Sequence, residues 1–300
     1  MMHSPGTVAK AMTFKEGLNM KTFFINGACG GVGQATVKAF HEAGYQIWAS
    51  DVNQNALDEL TKQYPHIKTS CIDVSDKQQL KNLCDEITTT PQIDVAHVNA
   101  GIVKPNEVVD STEQEIDAQL DINLRSALHL NRALAIKMKT QKSGHIVNTV
   151  SMGALISLPS SAVYCATKAA LRSFLTAMQA ELKPFGVSVS GIYPSGIHTP
   201  MLQYEALNQG SPLNFLNMPV SAENVANTVL KSAGKSAGNS NGKGRGAKKL
   251  EYYLPYSDSI SSRIVNAFPW LLQKIYPLFR YLGEKGRAKY IRKFNVSATR

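Results

Sequence analysis

Tyr164 and Lys168 stand four residues apart in the segment Tyr-Cys-Ala-Thr-Lys, and Ser151 precedes the tyrosine by thirteen residues. Positions i and i+4 of a helix share a face, so the Lys168 ammonium is expected beside the Tyr164 phenol. A phenol with an ordinary pKa of about 10 exchanges protons poorly at neutral pH, and a nearby fixed cation favours its phenolate. A glycine-rich turn, Gly27-Ala-Cys-Gly-Gly-Val-Gly33, opens the first α/β unit. Such a turn uses glycine where φ is positive or where backbone must approach a pyrophosphate. The helix that follows then receives the anion at its N-terminus. A tuned tyrosine near a dinucleotide turn points to proton transfer coupled to hydride transfer.

These residues need a frame, and the chain supplies one. Strands are expected at 21–26, 46–50, 67–72, 93–98, 144–150, 187–192 and 250–254. Helices are expected at 34–43, 54–63, 76–88, 112–139, 164–185 and 221–231. Strands alternating with helices of ten or more residues mean βαβ units and a parallel sheet. The expected fold class is therefore α/β, a Rossmann-type doubly wound parallel sheet in a single domain, with ligands at the carboxyl ends of the strands. The expected division is an N-terminal extension over 1–19, a catalytic domain over 20–255, and an amphipathic basic C-terminal helical tail over 256–300. Within the domain, residues 232–249 are rich in Gly, Ser and Lys and read as a flexible loop.

Composition narrows the function classes. Hydrophobic content of 43% with 18% charged residues suits a globular chain that buries a full core. The net charge of +10 is unevenly placed: residues 231–300 hold fifteen Lys/Arg against three acids, leaving the rest at −2. A near-neutral body argues against a nucleic-acid-binding core. Cys29, Cys71, Cys84 and Cys165 lack metal-type spacing and fall in expected core elements, so they read as buried free thiols of a reducing compartment. His97, His129, His145 and His198 share no ligand spacing either, and no metal is expected. No apolar run approaches the roughly 18 residues of a spanning helix, and the first nineteen residues lack a continuous apolar stretch. The expected location is cytoplasmic, with peripheral membrane contact held open by the tail.

Asp51 ends the second strand, eighteen residues after Gly33. A carboxylate there accepts both adenine-ribose hydroxyls and repels a 2′-phosphate, and no Arg or Lys follows it directly. This favours NAD(H) over NADP(H). Asn99-Ala-Gly101 ends the fourth strand, and Asn123 sits mid-helix, where Asn is mildly unfavourable.

Together these pieces resemble the classical short-chain dehydrogenases/reductases over about residues 20–230. The matching residues are the glycine turn, Asp51, Asp73 and Val74, Asn99 to Gly101, Asn123, Ser151, Tyr164 with Lys168, and Pro194 through Thr199. The resemblance implies a catalytic set of Ser151, Tyr164, Lys168 and Asn123. Tyr164 would be the general acid/base and Ser151 would hydrogen-bond the substrate oxygen. Lys168 would bind the nicotinamide ribose and lower the tyrosine pKa, and Asn123 would hold a water in a relay to Lys168. The cofactor would lie on Gly27, Gly31, Val32 and Gly33, with Asp73 and Val74 at the adenine. Asn99 and Gly101 would also border the cofactor, Asn99 bracing the central strand, and Ile197 and Thr199 would meet the carboxamide. Three positions depart from the family pattern: Asn26 for the usual Thr, Gly30 for a small hydroxyl residue, and Ser195 for Gly after Pro194. The family also implies a homodimer or homotetramer through the helices that carry Asn123 and Tyr164.

The segment 200–220 is expected to cover the site. It offers Met201, Leu202, Tyr204, Leu213, Phe215 and Leu216, with Glu205 as its only charge. Leu155, Ile156 and Leu158 add apolar surface, so the expected substrate is a hydrophobic alcohol or carbonyl compound. In the tail, Ile260, Ile264, Phe268, Leu271, Ile275 and Phe279 recur at helical spacing, with breaks or kinks expected near Pro269 and Pro277. That stripe fits a helix packed on the body or a subunit interface. It fits equally a helix lying on an anionic membrane. Two other functions remain open from sequence: a nucleotide-binding regulatory or scaffold protein with a residual site, and a sugar-nucleotide epimerase or dehydratase.

Overall fold

The computed structural model describes residues 20–234 and 249–297. Among these, seven strands form one parallel sheet in the order β3-β2-β1-β4-β5-β6-β7. They are β1 (Thr22–Asn26), β2 (Gln46–Asp51), β3 (Lys68–Cys71), β4 (Val95–Val98), β5 (Gly144–Thr149), β6 (Val187–Pro194) and β7 (Glu251–Leu254). Helices α1 (Gly31–Glu42), α2 (Gln54–Gln63) and α3 (Lys77–Thr89) connect the first four strands. Helices α4 (Glu113–Leu120), α5 (Ser126–Gln141), α6 (Ala162–Leu182), α7 (Pro200–Leu207) and α8 (Ala222–Ser232) complete the body. The expected N-terminal extension and most of the expected Gly/Ser/Lys loop lie outside the described residues.

The central strands are buried on both faces, as a parallel sheet covered by helices requires. Phe23, Phe24 and Ile25 of β1 have no exposed surface. Phe24 and Ile146 join one core layer with α3, α5 and α6, while Phe23 and Ile47 join the other with α1 and α8. The strand order reverses between β1 and β4, where the chain leaves the sheet in opposite directions and opens a crevice. Asn26 and Val98 pair there, so the glycine turn and Asn99-Ala-Gly101 emerge side by side.

Two local outcomes differ from expectation. The helix expected over 112–139 begins with a capping box between Thr112 and Glu115, but a π turn over Asp121–Arg125 interrupts it and contains Asn123. The cysteines are not all buried: Cys71 is exposed because β3 is the edge of the sheet. The tail forms α9 (Tyr256–Ala267) and α10 (Pro269–Phe294). The chain breaks at Phe268 before Pro269, as expected, yet α10 runs on through Pro277. Pro277 and Gln273, whose carbonyl the proline leaves without an intrahelical donor, are both exposed, so water can take the missing bond.

Candidate active site

Gly27 starts the site. It has φ +65°, and a Cβ on it would fall 2.8 Å from the Ala100 Cα. Only glycine combines that conformation with that approach. Gly33 packs so closely that a Cβ would overlap the Gly27 carbonyl oxygen, and Gly31 abuts Thr199. Gly30 caps α1 without a side-chain bond, and a Cβ on it would make only an ordinary 3.7 Å contact with the Gly27 carbonyl oxygen, so a small hydroxyl residue would fit where the glycine stands. Asp51 ends β2 and accepts from the backbone amide of Cys29 at 2.8 Å. The turn and the acid are therefore one unit. Burial, with Asp51 adding its charge and a hydrogen bond, pushes the Cys29 thiol up to about 12.

Asn26 and Asn99 tie the ends of β1 and β4. The Asn99 amide donates to Asn26 Oδ1 at 2.7 Å, and Asn99 Nδ2 donates to the Gly27 carbonyl at 2.9 Å. Thr149 Oγ1 donates to Asn99 Oδ1 at 2.9 Å, and His97 Nε2 meets the same hydroxyl at 2.8 Å. His97 is a structural residue: burial holds its imidazole down at about 3. His145 likewise bonds Ser190 Oγ.

Lys168 lies on α6 with 3% of its surface exposed, and its Nζ donates to the Thr149 carbonyl at 3.0 Å. Burial brings the ammonium down to about 8. The same Nζ lies 5.6 Å from the Tyr164 ring centre. Tyr164 is hydrogen-bonded to Ser151, which lowers its pKa, but desolvation outweighs that bond and raises the phenol well above its usual range. The expectation of a phenol lowered by Lys168 is thus not met in the protein alone, because burial dominates. Ser151 Oγ also accepts from the Gly153 amide at 3.0 Å. Gly153 brings these groups together: a Cβ there would press on Ser151 Oγ and Cys165 Sγ, each at 3.3 Å.

Asn123 is 1% exposed. Its Oδ1 accepts from the Ile102 amide and its Nδ2 donates to the Ile102 carbonyl, both at 2.8 Å. It clamps the backbone just past Gly101, beside Lys168. A Cβ on Gly101 would lie 3.3 Å from Asn123 Oδ1 and 3.6 Å from Lys168 Nζ.

A single cavity of about 520 Å³ joins these parts. Of the residues singled out from sequence, Gly27, Gly31, Val32, Asp51, Asp73, Val74, Asn99, Gly101, Ser151, Tyr164, Lys168, Ile197 and Thr199 all line it. Gly33 and Asn123 stand behind the lining. The cavity continues under α7 and the short helix Pro212–Phe215, past Met201, Leu202, Leu213 and Leu216. Ile156 and Leu158 face it from the other side.

Two contributions escape sequence reading. Glu205 is legible as the lid's only charge, but not as a wall of the cavity. It is 7% exposed, receives a 2.6 Å hydrogen bond from Asn214 Nδ2, and is raised by burial to about 7. The tail also closes the lid end of the cavity. Val265 of α9 and Leu272 and Phe279 of α10 line the cavity. Gly283 and Gly286 bring α10 against the backbone of Pro212 and Phe215. Tyr290 packs with Leu202 and Phe215, and its hydroxyl meets His198 Nδ1 at 3.0 Å.

Does the cavity suit a dinucleotide? Its glycine cradle would be filled by any Cβ on Gly31. Asn26 borders it and keeps a buried Nδ2 with no protein partner. Both observations fit a polar, extended guest at the α1 end.

A doubly wound sheet with a glycine turn, a terminal acid and a Ser-Tyr-Lys cluster in one crevice defines a dinucleotide-dependent oxidoreductase. Comparison with known proteins gives the family. The short chain dehydrogenase model matches residues 21–210, and the chain belongs to that family. It is 32% identical to dehydrogenase/reductase SDR family member 6 of Rattus norvegicus, over 70% of this chain and 88% of that protein. It is also 32% identical to a 3-oxoacyl-(acyl-carrier-protein) reductase of Rickettsia felis, over 71% of this chain and 88% of the relative. A short-chain dehydrogenase structure from Streptomyces avermitilis superposes with a TM-score of 0.70 at 22% identity, covering 87% of this chain and 98% of that one. The family acts on CH–OH groups and binds NAD(P).

Proposed function

We propose that the protein is an NAD(H)-dependent oxidoreductase interconverting a hydrophobic secondary alcohol and its carbonyl compound. One observation carries this reading. The cavity that starts at Asp51 and the glycine turn passes Tyr164 and ends beneath an apolar lid. A nicotinamide dinucleotide bound along it would supply or accept the hydride. The chain's own residues do the rest. In reduction, the neutral Tyr164 phenol gives its proton to the substrate oxygen, while Ser151 donates a hydrogen bond to that oxygen and holds it in line. Burial keeps Tyr164 protonated, which suits the donor role. Lys168, anchored on Thr149, stands ready to return a proton. The Asn123 amide is committed to Ile102. Its part is to hold Gly101 and Ile102 beside Lys168, and any water relay passes its main chain.

Support for NAD(H) comes from charge. Asp51 lies on the adenosine side, and Lys168 is the only Lys or Arg among the described residues lining the cavity. A 2′-phosphate would meet a carboxylate with no cation to offset it. In this reading residues 20–255 form the catalytic domain and 256–300 its tail, and copies associate through the helices bearing Asn123 and Tyr164.

Tyr164→Phe is the decisive variant. Turnover with a panel of long-chain and cyclic ketones should fall by three orders of magnitude or more, roughly the weight of positioned acid catalysis, with NADH binding unchanged. Undiminished turnover sinks the mechanism. The cofactor assignment has its own check: fluorescence titration should give tighter binding of NADH than of NADPH, and the reverse order removes the role given to Asp51.

A further inference from the structure

Helices α9 and α10 present two faces with opposite fates. The inner face is consumed by the protein: Ser259, Ser262 and Val265 are buried, and Ser262 Oγ contacts Met152 Sδ at 3.7 Å. The outer face holds Ile260, Ile264, Phe268, Trp270, Leu278 and Tyr281, each about half exposed or more. Among the described residues, nineteen large hydrophobic side chains are exposed, and eight of them fall between Tyr256 and Leu282. Scattered apolar residues need no explanation, but a concentration on one pair of helices marks a docking surface.

Charge chooses the partner. Residues 256–297 carry eight Lys/Arg and two acids. The cations flank the aromatics: Lys274 Nζ lies 5.0 Å from the Trp270 ring centre and Lys285 Nζ 4.3 Å from that of Tyr281. Arg280 is exposed as well, whereas Arg263, though exposed, is held by Glu251 at 3.7 Å. Amphipathic rings with adjacent basic side chains suit the boundary between lipid headgroups and acyl chains. A second copy of this face would set like charge against like charge. No helix among the described residues is long and apolar enough to cross a membrane. That leaves a helix pair lying in the interface plane.

We propose that α9 and α10 dock the protein on an anionic lipid bilayer. The same two helices wall the substrate end of the cavity through Val265, Leu272 and Phe279. Docking therefore sets that end against the bilayer, where a hydrophobic alcohol or ketone is concentrated. This second step rests on the function proposed above; the docking itself does not.

The test uses the full chain and vesicles of phosphatidylcholine with and without phosphatidylglycerol. Co-sedimentation should be strong only with the anionic vesicles and should fall as salt rises. Trp270→Glu combined with Ile264→Glu should abolish it. Lys274→Glu, Arg280→Glu and Lys285→Glu together should weaken it on the order of a hundredfold or more. NADH binding and circular dichroism of each variant report that the fold is intact. Equal partitioning onto both vesicle types, or none onto either, overturns the proposal. So does a dimer in light scattering that Trp270→Glu converts to a monomer. Sedimentation is read without turnover, so an intact membrane response with no ketone reduction would strike the functional reading alone. If docking and turnover both hold, anionic vesicles loaded with a long-chain ketone should raise kcat/KM over the same ketone in detergent.

Discussion

Glu205 places a carboxyl in a wall that is otherwise largely apolar, and its burial has a thermodynamic signature. Desolvation is the largest influence on it; Asn214 and Arg287 pull the other way and lose, so the group stands at about 7. The groups around it are few. Arg287 reaches across from α10, where it also bonds the Gly210 carbonyl and pairs with Glu284. Tyr164, Cys165 and Tyr290 each feel the Glu205 charge as an upward push on their own pKa. Because Glu205 holds its proton more tightly folded than unfolded, the unfolded chain binds fewer protons between about pH 4.5 and pH 7. Its contribution is present below that window and is lost as pH rises through about 7. Replacing it by Gln removes the titration. Urea midpoints of wild type and Glu205→Gln, compared at pH 5 and pH 8, should shift in favour of the variant at the higher pH. The shift is at most about 3 kcal/mol, and a constant difference between the two would refute the assignment. An ionised Glu205 also disfavours a negative substrate oxygen near Tyr164, so reduction should slow above pH 7 in wild type and less so in the variant.

At the scale of elements, the lid and α10 meet through glycine. Gly286 approaches so closely that a Cβ would overlap the Phe215 carbonyl oxygen, and that atom belongs to backbone that cannot swing aside. Gly286→Ala should therefore part α10 from the lid, cost about 1–3 kcal/mol in thermal or urea stability, and raise KM for substrate while leaving NADH affinity alone. An unchanged KM would show that the contact is not part of the substrate site. This contact also shows where sequence stops being informative. Gly283 and Gly286 read as ordinary helix residues, because nothing local announces that lid residues 71 positions earlier need their missing side chains. The glycine turn differs: positive φ, strand before and helix after are all local demands, and the sheet, its switch point and the Ser-Tyr-Lys cluster follow from short-range pattern. The π turn at Asn123 lies between these cases. Asn inside a helix is a visible anomaly, but its clamp on Ile102 is a tertiary fact. Of the break or kink expected at Pro277, the break does not occur, because an exposed helix tolerates the lost bond.

Across the whole molecule, three stretches of chain divide the cavity. In the function proposed above, the glycine turn and the ends of β2, β3 and β4 would build the dinucleotide end, β5 and α6 would bring the reacting groups, and the lid with α9 and α10 would build the substrate end. The charge divides in the same way: the body, with the glycine turn, is near neutral, and the basicity sits in the tail that walls the other end. Such a partition makes the two binding events separable by mutation. Leu272 and Phe279 are half-buried side chains on α10 that line the cavity. Truncating both to Ala removes apolar wall worth about 1 kcal/mol each against a bound chain, allowing for their partial exposure. For a ketone long enough to reach α10, KM should rise roughly 10–30-fold, with NADH affinity unaltered. A short ketone that reacts at Tyr164 but ends before α10 should lose little. Comparing kcat/KM for the two substrates in wild type and in Leu272→Ala/Phe279→Ala separates a wall from a scaffold. If the short ketone loses as much as the long one, the tail supports the site from outside and the cavity ends at the lid.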